Sequence, residues 1–336
     1  MSTRAIEKKR LEISCGTIAY VEAGAPDRPV VLLVHGIPTS SYLWRDVIRF
    51  LQGSFHCIAP DLIGLGDSAP NARAAFDMDA QAEMLLELMD RLGHRRFSIV
   101  AHDQGGAAAQ ILAARQPGRL DALVLTDSVC FDNWPVPVIR RLQRLAGVPA
   151  LSELVSRSGL AEWVQRKLPI SAFRRGVFDP KRLSEEAIVE YLRPLRDRAG
   201  RERFRRFLLA GHARYTETAL AGLRRFDKPT LILWAGDDRY LSPSYGQRLC
   251  EEIPGARPLR LMPFCGHFWQ EERPGEGASW IGKFLEEALA PRAAVTATVA
   301  PVAQAAPAPV VEMPAAAAAL PPCAPPRRNK LPKVVS

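Results

Sequence analysis

The stretch Phe97-Ser98-Ile99-Val100-Ala101-His102-Asp103-Gln104-Gly105-Gly106 constrains this chain more than any other. A largely apolar run leads into an acid, two glycines follow, and Ala107-Ala108-Ala109 continues as a helix former. A buried strand that turns sharply into a helix has this grammar, because glycines beside the apex let the backbones approach closely. The side chain at the apex is lifted out of the sheet. A hydroxyl there would attack acyl carbons, whereas the carboxylate of Asp103 suits displacement at an alkyl carbon. Reaction type is thus constrained before any substrate is.

Around this turn the chain alternates strand and helix patterns. Leu11–Ser14 and Thr17–Glu22 read as an opening hairpin, and Val30-Val31-Leu32-Leu33-Val34 as a strand buried on both faces. Helix spacing over Tyr42–Leu51, a strand at Phe55–Ala59 and an amphipathic helix over Phe76–Leu92 follow. The strand ending at Asp103, a helix near Gly105–Arg115 and a strand at Ala122–Leu125 continue the alternation. It resumes with a strand at Thr230–Trp234, a helix at Tyr245–Ile253, a strand at Leu259–Met262 and a helix at Ala278–Leu289. Eight strands in a mostly parallel α/β sheet flanked by helices are expected.

Residues 131–216 break the pattern into short helical pieces with Pro and Gly interruptions, as in a helical cap inserted between two parts of one domain. The core then comprises residues 1–130 and 217–290. Residues 291–336, rich in Ala and Pro and free of aromatics, are expected to be a disordered tail, since they offer too little apolar surface to offset chain entropy.

The net charge of +9 suggests nucleic acid at first sight, but its distribution does not. Residues 131–216 carry 18 Lys/Arg against nine Asp/Glu, mixed at helical spacings as on a solvated helix face. No nucleic-acid partner is expected. The N-terminus lacks a secretory pattern, no apolar run reaches membrane-spanning length, and the six cysteines lack metal-ligand spacing. A cytoplasmic protein with reduced thiols, acting on a small molecule away from membranes, fits these traits. Oligomeric state is open.

A nucleophile on such a turn needs a base and an orienting acid, which open α/β sheets present on loops at strand C-terminal ends. Ala235-Gly236-Asp237-Asp238 follows one late strand and Pro263-Phe264-Cys265-Gly266-His267 follows the last. His267 is the candidate base, and Asp238, rather than Asp237, its acid. After strand 30–34, the backbone N–H of Ile37 could join that of Gln104 as an oxyanion hole.

Four segments carry a family resemblance: His35-Gly36-Ile37-Pro38-Thr39-Ser40-Ser41-Tyr42-Leu43-Trp44-Arg45, Asp61-Leu62-Ile63-Gly64-Leu65-Gly66-Asp67-Ser68, His102-Asp103-Gln104-Gly105-Gly106 and Gly266-His267-Phe268-Trp269-Gln270-Glu271-Glu272. Over roughly residues 10–290 the chain resembles the α/β-hydrolase branch containing haloalkane dehalogenases and epoxide hydrolases. The resemblance implies an alkyl ester on Asp103, hydrolysed by water that His267 activates, with no metal or organic cofactor. Dehalogenases usually place Trp after the nucleophile and many place Asn after the His-Gly pair; here those positions are Gln104 and Ile37. Trp134 or Trp269 would have to supply halide donors instead. Epoxide opening needs an acid, for which Tyr191 and Tyr215 are candidates. Epoxide hydrolysis is therefore expected first and carbon–halide hydrolysis second. An ester or lactone hydrolase and a non-catalytic small-molecule-binding homologue are the further alternatives.

Overall fold

A computed structural model describes residues 7–148, 160–168 and 170–290. The expected disorder of 291–336 concerns residues outside that set. Nine strands form one sheet: β1 (Lys9–Ile13), β2 (Gly16–Ala23), β3 (Val30–Val34), β4 (His56–Pro60), β5 (Ala69–Pro70), β6 (Phe97–Asp103), β7 (Leu120–Ser128), β8 (Thr230–Ala235) and β9 (Arg260–Met262). The order is β1-β2-β4-β3-β6-β7-β8-β9, with β5 paired to β2 off this path. The expectation of eight strands missed β5, two residues whose pairing partners lie over 50 positions away in sequence. A strand that short has no periodicity to read.

The β1–β2 and β2–β4 pairs are antiparallel, and every pair from β4 across to β9 is parallel. Alternation along the strands builds two core layers. Val31 and Leu33 of β3 pack on one face with Val47, Leu51, Ile281 and Leu285, from helices Arg45–Leu51 and Pro274–Leu289. Leu32 and Val34 point to the other face, with Leu85, Leu88 and Leu112 from helices Met78–Arg91 and Gln104–Arg115. A strand covered on both sides must be apolar throughout, which is why β3 shows no polar alternation.

Between β7 and β8 the described chain is helical: Pro137–Ala146, Leu160–Lys167, Ala172–Arg175, Glu185–Leu192, Arg198–Ala210 and Arg214–Leu223. Ser184 and Asp197 cap two of these helices, their side chains accepting from Ala187 N–H and Gly200 N–H. Part of the insertion has its own small core, in which Phe173, Ile188 and Tyr191 meet Leu43 and Phe268. Many of its basic side chains are paired, Arg193 with Glu190 and Asp67, and Arg205 with Glu202. No helix among the described residues is long and apolar enough to cross a membrane. The five described cysteines are free thiols.

Candidate active site

The strand order reverses direction between β3 and β6, and the C-terminal ends of β3, β6, β7, β8 and β9 lead into one cluster of polar side chains. Asp103 ends β6 with φ +51°, in the region that side-chain-bearing residues rarely occupy. Close packing enforces this turn. A Cβ on Gly105 would lie 2.4 Å from the His35 carbonyl oxygen, and one on Gly36 would lie 2.2 Å from Asp103 Oδ1. Only glycine permits both approaches.

Asp103 Oδ1 accepts the Ile37 N–H at 2.8 Å, and the Gln104 N–H also donates to this carboxylate. Two main-chain donors therefore converge on one carboxyl group, from the two positions expected. Burial, the largest influence, raises the Asp103 carboxyl above its usual range, against the opposing pull of His267 and these N–H groups.

His267 Nδ1 lies 2.8 Å from Asp238 Oδ2, and its Nε2 lies 3.7 Å from Asp103 Oδ2. Asp238 is itself fixed, Oδ1 accepting the N–H groups of Tyr240 at 2.7 Å and Leu241 at 3.0 Å. Neighbouring Asp237 is exposed. Burial works to lower the His267 pKa, but Asp238, Asp103 and Asp127 together outweigh it and raise the group to about 9. His102, next to Asp103, is fully buried, its Nε2 contacting the His267 carbonyl at 2.9 Å; burial holds its pKa well below the ordinary value. It packs against the His267 ring as a neutral imidazole.

The loop carrying His267 is braced by a carboxylate. Glu272 accepts the N–H of Gly266 at 2.7 Å and, from the insertion, those of Phe178 at 3.0 Å and Asp179 at 2.8 Å. Phe268 N–H adds a bond to the Gly176 carbonyl at 2.9 Å. The adjacent Glu271 is held by Arg45 through two 2.6 Å contacts and by the Tyr191 hydroxyl.

A cavity opens over Asp103 and His267, walled by Ile37, Gln104, Trp134, Val136, Ile139, Ala172, Tyr240 and Phe268 among others. Its lining is largely apolar. Trp134 borders it, but its indole N–H donates to Thr216 Oγ1 at 2.8 Å. The other three side chains singled out from sequence lie outside this lining. Tyr191 is buried with its hydroxyl donating to Glu271 and its ring stacked on Phe173. Tyr215 accepts a hydrogen bond from Arg214 at 2.7 Å, and Trp269 donates to Thr126 Oγ1 at 2.6 Å. Each packs where its polar atom already has a protein partner, a placement that residue type alone does not reveal.

Two further residues come to the site unannounced. Tyr240 lines the cavity, and its hydroxyl donates to the Ala172 carbonyl at 2.5 Å; its place two residues after Asp238 was the available signal. Asp127, at the end of β7, is fully buried; an acid closing an apolar strand on the site's side of the sheet was equally legible. Donor atoms of Asp127, Asp238 and His267 lie within 4.8 Å of one another. These are metal-ligand types, yet Nδ1 and Oδ2 stand at hydrogen-bond distance, so a metal between them would have to displace that proton.

Comparisons with known proteins agree with this architecture. The family model described as alpha/beta hydrolase fold matches residues 29–164. A soluble epoxide hydrolase from Corynebacterium sp. (strain C12) is 30% identical over 269 residues, covering 76% of this chain and 88% of the relative. The chain belongs to the α/β-hydrolase fold family. This hydrolase is also 28% identical to haloalkane dehalogenase 2 of Mycobacterium tuberculosis, over 82% of its own length and 93% of the relative's. Among solved structures, an ancestral haloalkane dehalogenase superposes with a TM-score of 0.70 at 28% identity, covering 83% of this chain and 99% of that one. The hydrolase thus sits in the branch that holds both activities.

Proposed function

We propose that the hydrolase opens small apolar epoxides through an ester on Asp103, with His267 as base, Asp238 as its orienting acid and the helical insertion as a cap. An Asp103 oxygen bonds to an epoxide carbon in line with the C–O bond that breaks, and the electron pair passes to the ring oxygen. That geometry puts the departing oxygen on the side of the carbon away from Asp103, toward the insertion.

The observation that carries the epoxide reading is the Tyr240 hydroxyl, held in the cavity wall against the insertion's Ala172 carbonyl. Turned from Ala172 to the substrate, it can give the alkoxide its proton. Burial pushes this phenol up to about 12, so it stays protonated at neutral pH while remaining more acidic than an alcohol. In the second step His267 takes a proton from water, which attacks the ester carbonyl. The Ile37 and Gln104 N–H groups hold the resulting oxyanion until the diol leaves and Asp103 is restored. Tyr240 gives one proton per cycle and His267 gains one, so transfer between them closes the balance.

Tyr240→Phe is expected to lower kcat/KM for styrene oxide by about 10²–10⁴-fold, the range for a general acid. Undiminished diol formation in that variant would remove the epoxide assignment. The same rate constant in the unmodified enzyme should fall at acidic pH as Asp103 protonates, with its limb above the ordinary 3.8 because the Asp103 pKa is raised.

Carbon–halide hydrolysis is the second reading, favoured by Gln104. Its amide lines the cavity, only 3% exposed, and its Oε1 is without a hydrogen-bond partner among the described residues. Amide N and O exchange by a simple flip, so an N–H could face a halide. Bromide release from 1-bromobutane faster than diol formation from styrene oxide would reverse the order.

A further inference from the structure

The helix Pro137–Ala146 in the insertion has two apolar-spaced faces, and only one of them is covered. Ile139 lines the cavity, Gln143 Nε2 donates to the Leu208 and Gly211 carbonyls at 2.9 Å each, and Ala146 is buried. These positions, spaced i, i+4 and i+7, form the inward face. Val138, Leu142 and Leu145 repeat the spacing one position earlier, about 100° around the helix. This second stripe is open: Val138 is 38% and Leu142 40% exposed, and Leu145 is half-buried. Arg141 and Arg144 stand beside it and Arg140 beyond them, all exposed. The helix carries no acid, and among the described residues no carboxylate pairs with any of the three. Val138 also belongs to the cavity lining. Ile170, 67% exposed, lies two residues before Ala172, another lining residue. Single exposed apolar side chains are ordinary, but a periodic stripe at the rim of an apolar cavity, flanked by cations, marks a surface that meets a partner.

We propose that this stripe and its arginines dock on an anionic lipid bilayer and bring the cavity rim onto the membrane. Charge complementarity selects the partner. Guanidinium groups fit phosphate oxygens, the apolar side chains enter the acyl boundary, and a helix divided in this way lies in the interface plane. The expectation of a protein acting away from membranes rested on the lack of a spanning run, which a helix lying on a surface does not need. Joined to the epoxide reading above, docking makes the substrate class lipophilic epoxides dissolved in the bilayer, entering past Val138. The docking itself does not depend on that reading.

Co-sedimentation of the full-length chain with vesicles tests this. The unmodified protein should pellet with vesicles of equal parts phosphatidylcholine and phosphatidylglycerol at about 50 mM salt, and be released at about 0.5 M, where the charges are screened. Arg141→Gln/Arg144→Gln should weaken binding by about 25-fold, about fivefold per charge, and Leu142→Asp by about tenfold or more. Hydrolysis of dissolved styrene oxide should be unchanged in both variants, while turnover of dodecene oxide held in the same vesicles should fall in step with binding. A protein that stays in the supernatant overturns the inference. So does binding that the variants leave unchanged, which would assign the attraction to another part of this basic chain. A concentration-dependent dimer that Leu142→Asp dissolves, without vesicle binding, gives the face to a second copy and overturns it as well. If Leu142→Asp does not fold, Leu142→Trp decides. Extra quenching by brominated lipid, relative to the unmodified protein, supports an inserted stripe, and its absence overturns one. Inactivity toward both epoxides with vesicle binding intact removes the epoxide reading alone.

Discussion

A His267→Gln variant given styrene oxide is expected to complete the first displacement and stop, with Asp103 esterified in stoichiometric amount. Asp103, the N–H groups that meet it and Tyr240 would all remain, so under the proposed mechanism the first bond still forms. What is lost is the group that takes a proton from water, and steady-state turnover should fall by about 10²–10⁴-fold or more. Mass spectrometry of the peptide containing Asp103 checks this directly. A fragment carrying the whole epoxide-derived alkyl group supports the ester route, while an acyl fragment from an ester or lactone would place the enzyme among acyl-transfer hydrolases. The pH dependence has a defined sign. In the free enzyme His267 is raised to about 9, partly by the Asp103 anion, and so is largely protonated at neutral pH. Esterification removes that anion, the pKa falls, and the ring becomes available as a base. Ester decay in the unmodified enzyme should therefore rise with pH through an inflection below about 9.

The second large effect is on stability. Arg45 and Glu271 form a bidentate pair with side chains only 14% and 2% exposed. Replacing Arg45 with Met would leave the carboxylate buried with the Tyr191 hydroxyl as its remaining side-chain partner among the described residues. Removing one member of a buried pair costs about 3–5 kcal/mol, because the uncompensated charge stays behind. Urea unfolding should show a loss of that order, and Arg45→Lys should recover only part of it, since an ammonium cannot reproduce the two-pronged contact. A loss below about 1 kcal/mol would mean that the charge is solvated in a way the packing does not suggest.

The sheet and the residues at its strand ends were legible because they obey local rules. β3 and β6 are largely apolar runs, Gly105 and Gly36 mark close approaches, Asp103 ends a strand, and Asp238 and His267 lie on the short loops after two later ones. Their convergence needed only the order of elements, which strand–helix alternation supplies. The cavity wall was not legible in the same way. Trp134, Trp269, Tyr191 and Tyr215 are each compatible with a donor role by residue type, yet their polar atoms meet Thr216, Thr126, Glu271 and Arg214. Those partners lie up to 143 positions away in sequence or in a helical insertion without period-two grammar. Tyr240 and Asp127 carried a local signal, being polar residues at or just after a strand end, but lacked a motif to single them out.

The Glu272 brace bears on how this enzyme can diversify. The groups it gathers from the insertion are the main-chain N–H groups of Phe178 and Asp179, which any residue except proline supplies. Side chains that line the cavity from the insertion can therefore be exchanged without loosening the loop that carries His267. For the same reason, an insertion grafted from a relative should preserve activity when its backbone presents two such N–H groups to Glu272, whatever its sequence there. Proline at position 178 or 179 is the substitution that library design should exclude.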